Sequence, residues 1–374
     1  MRAAESGTVR FLRMRKRINL ALQGGGAHGA FTWGALDRLL EEEGLEIAWV
    51  SATSAGAVNA AALASGLAAD GPSAARSVLR QVWEAVESAG VPDLMRFNPF
   101  FYGLTRSASI PNVAGLLSPY EFNPLGFDPF RRLLTSLIDF EKIRTSPGIG
   151  LLIAATDVAT GRARLFRRKE LTVEAVLASA CLPTLHHAVE IDGKAYWDGG
   201  FSANPDIVTL ASESAIEDTL IVLLNPLEKR TPPRSAREIA DQVNTITFNQ
   251  PLLRDAEIVA AAQEAPLSWR APAGSRLSRL KRHRFHLLEA GRYTMGLSME
   301  SKLKPERGLL NYLHASGRAE MQKWLERNRS SIGRRQTVDM RQRFLDPKRI
   351  PWDPPEPDAE PGRETPLSAQ GTRT

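Results

Sequence analysis

The chain passes from strand to helix at a single serine. Ile47-Ala48-Trp49-Val50 is an apolar, partly β-branched run that suits a buried strand, and Ala60-Ala61-Ala62-Leu63-Ala64 is an uncharged run of strong helix formers. The junction reads Val50-Ser51-Ala52-Thr53-Ser54-Ala55-Gly56-Ala57-Val58-Asn59. A strand that enters a helix in so few residues forces the serine into a strained backbone, and side chains two positions before and after it would collide. Ala52 and Gly56 occupy those two positions. Ser54 then stands at a helix N-terminus, where free N–H groups and the macrodipole favour developing negative charge. On this stretch alone, a helix that merely begins with Thr or Ser as its cap reads as well as a nucleophile elbow.

A second glycine-rich junction precedes it. Ile18-Asn19-Leu20-Ala21-Leu22 reads as a short buried strand, Gln23-Gly24-Gly25-Gly26-Ala27-His28-Gly29 as a loop, and residues 30–43 as a helix with Ala35, Leu36, Leu39 and Leu40 at helical spacing. Strand, glycine loop and helix make a backbone cradle for an anion, because glycine permits close approach and freed N–H groups converge on one spot. Three anions are conceivable. A dinucleotide would want an acid after the second strand, whereas Glu46 lies before it. A triphosphate would want Lys then Ser or Thr after the loop, where Ala30-Phe31 stand. An oxyanion of acyl transfer would want a nucleophile at the end of the next strand, and Ser54 is there.

Gly24-Gly25-Gly26-Ala27-His28-Gly29, Thr53-Ser54-Ala55-Gly56 and Asp198-Gly199-Gly200, in this order, resemble the three signatures of the patatin-like phospholipases. The run Ala178-Ser179-Ala180-Cys181-Leu182-Pro183 and the approach Val189-Glu190-Ile191-Asp192-Gly193-Lys194-Ala195-Tyr196-Trp197 look like that family too. The resemblance covers residues 16–225 and extends loosely to Leu325. It implies a three-layer α/β/α fold with a mainly parallel central sheet. It also implies a Ser-Asp dyad of Ser54 and Asp198 acting without histidine, metal or cofactor. The oxyanion would be held by the backbone of Gly24, Gly25, Gly26 and Ala27, with His28, Gly29, Ala52, Gly56, Gly199 and Gly200 supporting the motifs. Two positions depart from the family: His28 stands where Lys or Arg is usual, and Ala52 where Gly is usual. An imidazole of ordinary pKa, about 6.5, would bring a charge that grows as pH falls. The rival expectation is that His28 only packs or hydrogen-bonds beside the loop.

The chemistry stands apart from the resemblance. Serine needs a base, and of His28, His186, His187, His283, His286 and His314 none has an evident triad setting. Asp198 follows a strand-like run in a tight Asp-Gly-Gly turn, which by itself also suits an ordinary β-turn aspartate. Taken together, the three signatures point to a serine acyl-ester hydrolase, and the resemblance implies a lipid or other acyl ester as its substrate. The competing class is a catalytically silent lipid-binding or scaffold module of the same fold.

The remaining segments set the organisation. Residues 1–15 read as a basic tail, 16–225 as the catalytic core, 226–330 as an extension packed on it, and 345–374 as a Pro-rich disordered tail. Residues 72–90 read as an amphipathic helix, 96–124 as an aromatic-rich loop or apolar wall over the site, and 235–264 as a long helix broken at Pro251. Arg270, Arg276, Arg279, Lys281, Arg282 and Arg284 read as a solvated loop leading into a strand at 285–288. The single Cys181 permits a reducing compartment, no apolar run reaches spanning length, and cytoplasmic residence is the expectation. A net charge of +6 permits peripheral contact with anionic membranes; with no recognition motif or interleaved aromatics, no nucleic acid is expected.

Overall fold

The computed structural model describes residues 15–96, 118–228, 232–266, 272, 274–295, 297 and 299–346. The basic tail up to residue 14, the aromatic stretch 97–117 and the Pro-rich tail from 347 onward lie outside the described residues. No helix among the described residues is long and apolar enough to cross a membrane.

Eight strands form one sheet. In chain order, its first elements are β1 (Lys16–Leu22), helix α1 (Gly29–Leu39), β2 (Leu45–Thr53) and helix α2 (Ala55–Arg96). Then come β3 (Gly150–Asp157), β4 (Ala163–Arg167), β5 (Val189–Ile191), β6 (Lys194–Asp198), β7 (Asp218–Leu223) and β8 (Arg284–Glu289). The run β3-β2-β1-β7-β8 is parallel, while β4 and β6 pair antiparallel with β3.

Side chains alternate across a strand, and here both faces are apolar, so the sheet is covered twice. Leu20, Leu22, Leu220 and Val222 join one core with Phe31, Leu36, Leu63 and Leu313. Ala21, Ile221 and Leu223 join the other with Ile207, Leu252, Val259 and Phe285. The result is the expected α/β/α layering. On the first face α1 crosses the helix Arg307–Asn328 at reciprocal glycines. A Cβ on Gly34 would strike the His314 carbonyl, and one on Gly317 the Phe31 carbonyl. Gly34→Ala should therefore force the two helices apart and cost about 1–3 kcal/mol, read as a lowered denaturant midpoint at unchanged m-value.

Three sequence expectations change. The helix expected at 72–90 is the second arm of α2, which doubles back at Gly71 (φ 79°), so that Trp83 Nε1 donates to Asn59 Oδ1 at 2.9 Å. The helix Ala236–Glu264 runs unbroken through Pro251. Burial of Phe248, Leu252, Ala256 and Val259 on one face holds it despite the lost donor. The basic stretch forms a helix at Arg276–Arg282 rather than a loop. Arg270 lies outside the described residues, and three cations of the helix have tertiary partners: Arg279 on Ser212 O, Lys281 on Ala265 O, and Arg282 on Glu217.

Candidate active site

The site lies where strands end. β2 pairs with β3 over Trp49 to Thr53, opposite Gly150 to Ala154. β4 occupies the other edge of β3, opposite Leu152 to Thr156. β6 pairs with Ala155 to Asp157, which on their other edge are closed by β4 and its turn, so β2 and β6 share one edge of β3. They run toward each other along it: Thr53 sits opposite Ala154, and Asp198 opposite Ala155. The first residue past β2 is Ser54, and the last residue of β6 is Asp198. The register of β3 therefore brings the two sequence signatures together.

Ser54 carries the strain expected of it, with φ at 55°, a conformation rarely held by a residue with a Cβ. Its N–H donates to Ser179 Oγ at 2.9 Å, and its carbonyl accepts from Ala57 and Val58 as the helix starts. Ala52 is fully buried, and a Cβ on Gly56 would collide with the Leu22 carbonyl at the end of β1. The small residues around the serine are thus required by neighbouring backbone.

Asp198 is completely buried. Its N–H donates to Cys181 O at 2.7 Å, its carbonyl accepts from Thr156 Oγ1 at 2.8 Å, and Oδ1 accepts the Gly200 N–H at 2.7 Å. Oδ2 is buried with no hydrogen-bond partner among the described residues. Burial pushes the carboxyl up to about 7; the Gly200 N–H and the nearby Ser54 hydroxyl act against the rise by favouring the anion. Gly199 and Gly200 allow this turn, since a Cβ would strike the Ala154 carbonyl at the first and the Phe248 ring at the second.

The glycine loop closes over the serine. A Cβ on Gly24 would come 2.7 Å from Ser54 Cβ, and one on Gly25 would come 2.9 Å from Leu224 Cδ1. Gly26 has φ 56°, and a Cβ there would strike the carbonyl of Lys302, in the helix α3 (Met299–Leu303). The Gly24 N–H is already donating to Asn204 Oδ1 at 2.8 Å. Gly29 lets α1 start against Ala55 and the Trp83 ring. His28 is buried, and its Nε2 pairs with Ser301 Oγ at 2.8 Å. Burial, with Lys302 nearby, pushes its imidazole down to about 3. The charge that an ordinary imidazole would gain as pH falls toward about 5 is therefore absent, and His28 packs beside the loop as a neutral ring.

Four of the other histidines are engaged elsewhere, while His186 keeps a buried Nδ1 with no hydrogen-bond partner among the described residues. His187 meets the Pro119 carbonyl, His283 Thr219, His286 Asp218, and His314 lies by Asp37 and the Trp33 ring. No hydrogen bond joins a histidine to Ser54 or Asp198 among the described residues. Among those residues no three His, Cys, Asp or Glu side chains gather to hold a metal.

Sequence reasoning missed three supporting side chains and one backbone contact. Asn204 joins the Gly24 N–H to the Phe248 carbonyl, and Gln23 accepts from the N–H groups of Leu224 and Asn225. Ser179 receives the Ser54 N–H, and the Lys302 carbonyl overlies Gly26. Ser179 lies in the family-like run before Asp198 and Gln23 opens the glycine loop, so both had a signal. Asn204 and Lys302 meet partners distant in sequence.

A family model described as patatin-like phospholipase matches residues 20–211. Among solved structures the chain is similar to VipD from Legionella pneumophila, at 13% identity over 83% of this chain and 67% of that one, with a TM-score of 0.39. It is also similar to the ExoU-SpcU complex from the type III secretion system of Pseudomonas aeruginosa. There the identity is 18% over 87% of this chain and 73% of that one, with a TM-score of 0.27. A further structure of the type III effector ExoU is matched at 16% identity over 82% of this chain and 53% of that one, about half its length, with a TM-score of 0.30. No curated protein matches the chain.

Proposed function

The chain belongs to the patatin-like phospholipase family, and on that footing we propose that it is a serine acyl hydrolase of lipid esters, with Ser54 as nucleophile and Asp198 as base. The observation that carries this reading is the meeting of β2 and β6 on one edge of β3, which sets a strained serine beside a buried carboxylate with an unpartnered oxygen.

Asp198 Oδ2 takes the Ser54 proton as Oγ attacks the ester carbonyl carbon. The carbonyl electrons move onto oxygen, where the N–H groups of Gly25, Gly26 and Ala27 stabilise the new charge. The Gly24 amide is spent on Asn204, so glycine at that position serves to admit Ser54. Collapse expels the alcohol, which leaves with the proton from Asp198. Asp198 then deprotonates a water that attacks the acyl-enzyme, and the second collapse releases the acid and restores the Ser54 hydroxyl.

A carboxyl held near 7 is matched to this work at neutral pH. It acts as a base only when ionised, so kcat/KM on a non-ionising ester should rise with pH through about 7 and level off above it. His28, neutral throughout that range, should add nothing. A profile that climbs as pH falls toward 5.5 would contradict both assignments. The direct test of function is incubation with mixed phospholipid vesicles and analysis of released fatty acids and lysolipids. Wild type should release them, and Ser54→Ala should not.

A further inference from the structure

Across the glycine loop from Ser54 lies a cavity of about 100 Å³ whose lining includes Lys302, Asn225, His28, Asp241 and Glu228. Lys302 Nζ donates to Asn225 Oδ1 at 2.7 Å. An ammonium can only donate, so this bond fixes the amide orientation and makes Nδ2 the free end. That Nδ2 is buried without a hydrogen-bond partner, on a residue only 2% exposed. Lys302 has further protons to give, and His28 Nδ1 is likewise unpartnered. Buried donors of this kind call for an acceptor. Glu228 is neutralised by Arg343 at 2.8 Å. Asp241 remains as a negative group suited to an amine or hydroxyl.

The cavity is close to the proposed chemistry. Gly24 abuts Ser54, Gly26 abuts the Lys302 carbonyl, and two residues of chain span at most about 7 Å. In a glycerophospholipid the phosphate and the acyl esters hang from one three-carbon unit, so a lipid using both sites would place its ester at Ser54 and its phosphate on the far side of the glycine loop.

We propose that Lys302 and Asn225 bind the phosphate of a glycerophospholipid whose head group offers an amine or hydroxyl to Asp241, making this pocket the selector for phospholipid over neutral ester. The inference rests on the hydrolase reading for its meaning, yet binding can be measured without turnover. Ser54→Ala protein is titrated calorimetrically with dihexanoyl phosphatidylethanolamine below its micelle concentration, and separately with inorganic phosphate.

The lipid should bind, and adding Lys302→Met or Asn225→Asp should weaken it at least tenfold, with thermal unfolding confirming intact protein. Asn225→Asp keeps the acceptor for Lys302 while replacing the donor by a second acceptor and a negative charge that repels phosphate. Burial lowers the Lys302 ammonium to about 8, with Asp241 opposing the shift, while Glu228 is paired and His28 is neutral. Loss of its charge should thus weaken lipid binding as pH rises through about 8. In kinetics, the ratio of kcat/KM for phospholipid to that for p-nitrophenyl butyrate should fall at least tenfold in Lys302→Met. Unchanged affinity in both variants overturns the proposal, as does inorganic phosphate binding as tightly as the lipid. An equal loss on both kinetic substrates overturns it too, by assigning Lys302 to support of the loop. Lipid binding that depends on Lys302, in a protein that cleaves no ester, supports the pocket and sinks the hydrolase reading instead.

Discussion

Ser54→Ala and Asp198→Asn should each lower turnover by about 10⁴-fold or more, and the double variant should be scarcely worse than either alone. Nucleophile and base act as one unit, so removal of one leaves the other nothing to do. Both changes keep side-chain volume nearly constant. Asp198→Asn also retains an oxygen for the Gly200 N–H and removes a charge that burial disfavours, so its melting temperature should hold or rise. The discriminating measurement is steady-state hydrolysis of a soluble ester by all four proteins, alongside the same series in His186→Ala and His187→Ala. Near-normal Asp198→Asn activity with loss in a histidine variant would replace the dyad by a triad. The stacking of His187 on Tyr120 and its bond to the Pro119 carbonyl argue against such a role for His187.

Gly25→Ala should cost on the order of 10²-fold in kcat with little change in KM, because oxyanion donors act where charge develops. The position suits this test. The added Cβ would meet the tip of Leu224, a buried side chain that can yield in part, whereas at Gly26 it would meet the backbone carbonyl of Lys302, which cannot yield. Gly25→Ala thus displaces the loop slightly in a folded protein, while Gly26→Ala would disturb the packing of α3. A Gly25→Ala protein changed only in KM would mark the loop as a substrate binder and remove the oxyanion role.

Much of the frame was legible because its signals are local. The strands around Leu20 and Val50 are apolar runs, and β8 covers the strand expected at 285–288. At Gly26, Gly56, Gly199 and Gly200 a Cβ would meet backbone or a ring, a demand that leaves few residue choices. What stayed hidden depends on distant partners. Nothing near Asn204 announces that its amide will take the Gly24 N–H, and nothing near Lys302 announces that it will lie on Gly26. His28 was open to reading as a cation because a free imidazole has one pKa and a buried one beside an ammonium has another. The arginines of 276–284 looked like a loop because their acceptors, Ser212, Glu217 and Asp218, precede them by some sixty residues.

The shared edge of β3 makes catalysis a gauge of alignment. A strand that slips by one residue against its neighbour turns every side chain to the opposite face. For β6 such a slip would carry Asp198 about 3.3 Å along β3 and point its carboxyl away from Ser54. The hairpin that feeds β6 holds this alignment through Asp192 and Gly193, at φ 50° and 72°, with Ile191 opposite Lys194. Lengthening or shortening that turn, far from any reacting atom, would be read out as lost activity, together with the stability lost as Tyr196 leaves the core. Ester turnover here can serve as an ångström-scale report on strand alignment.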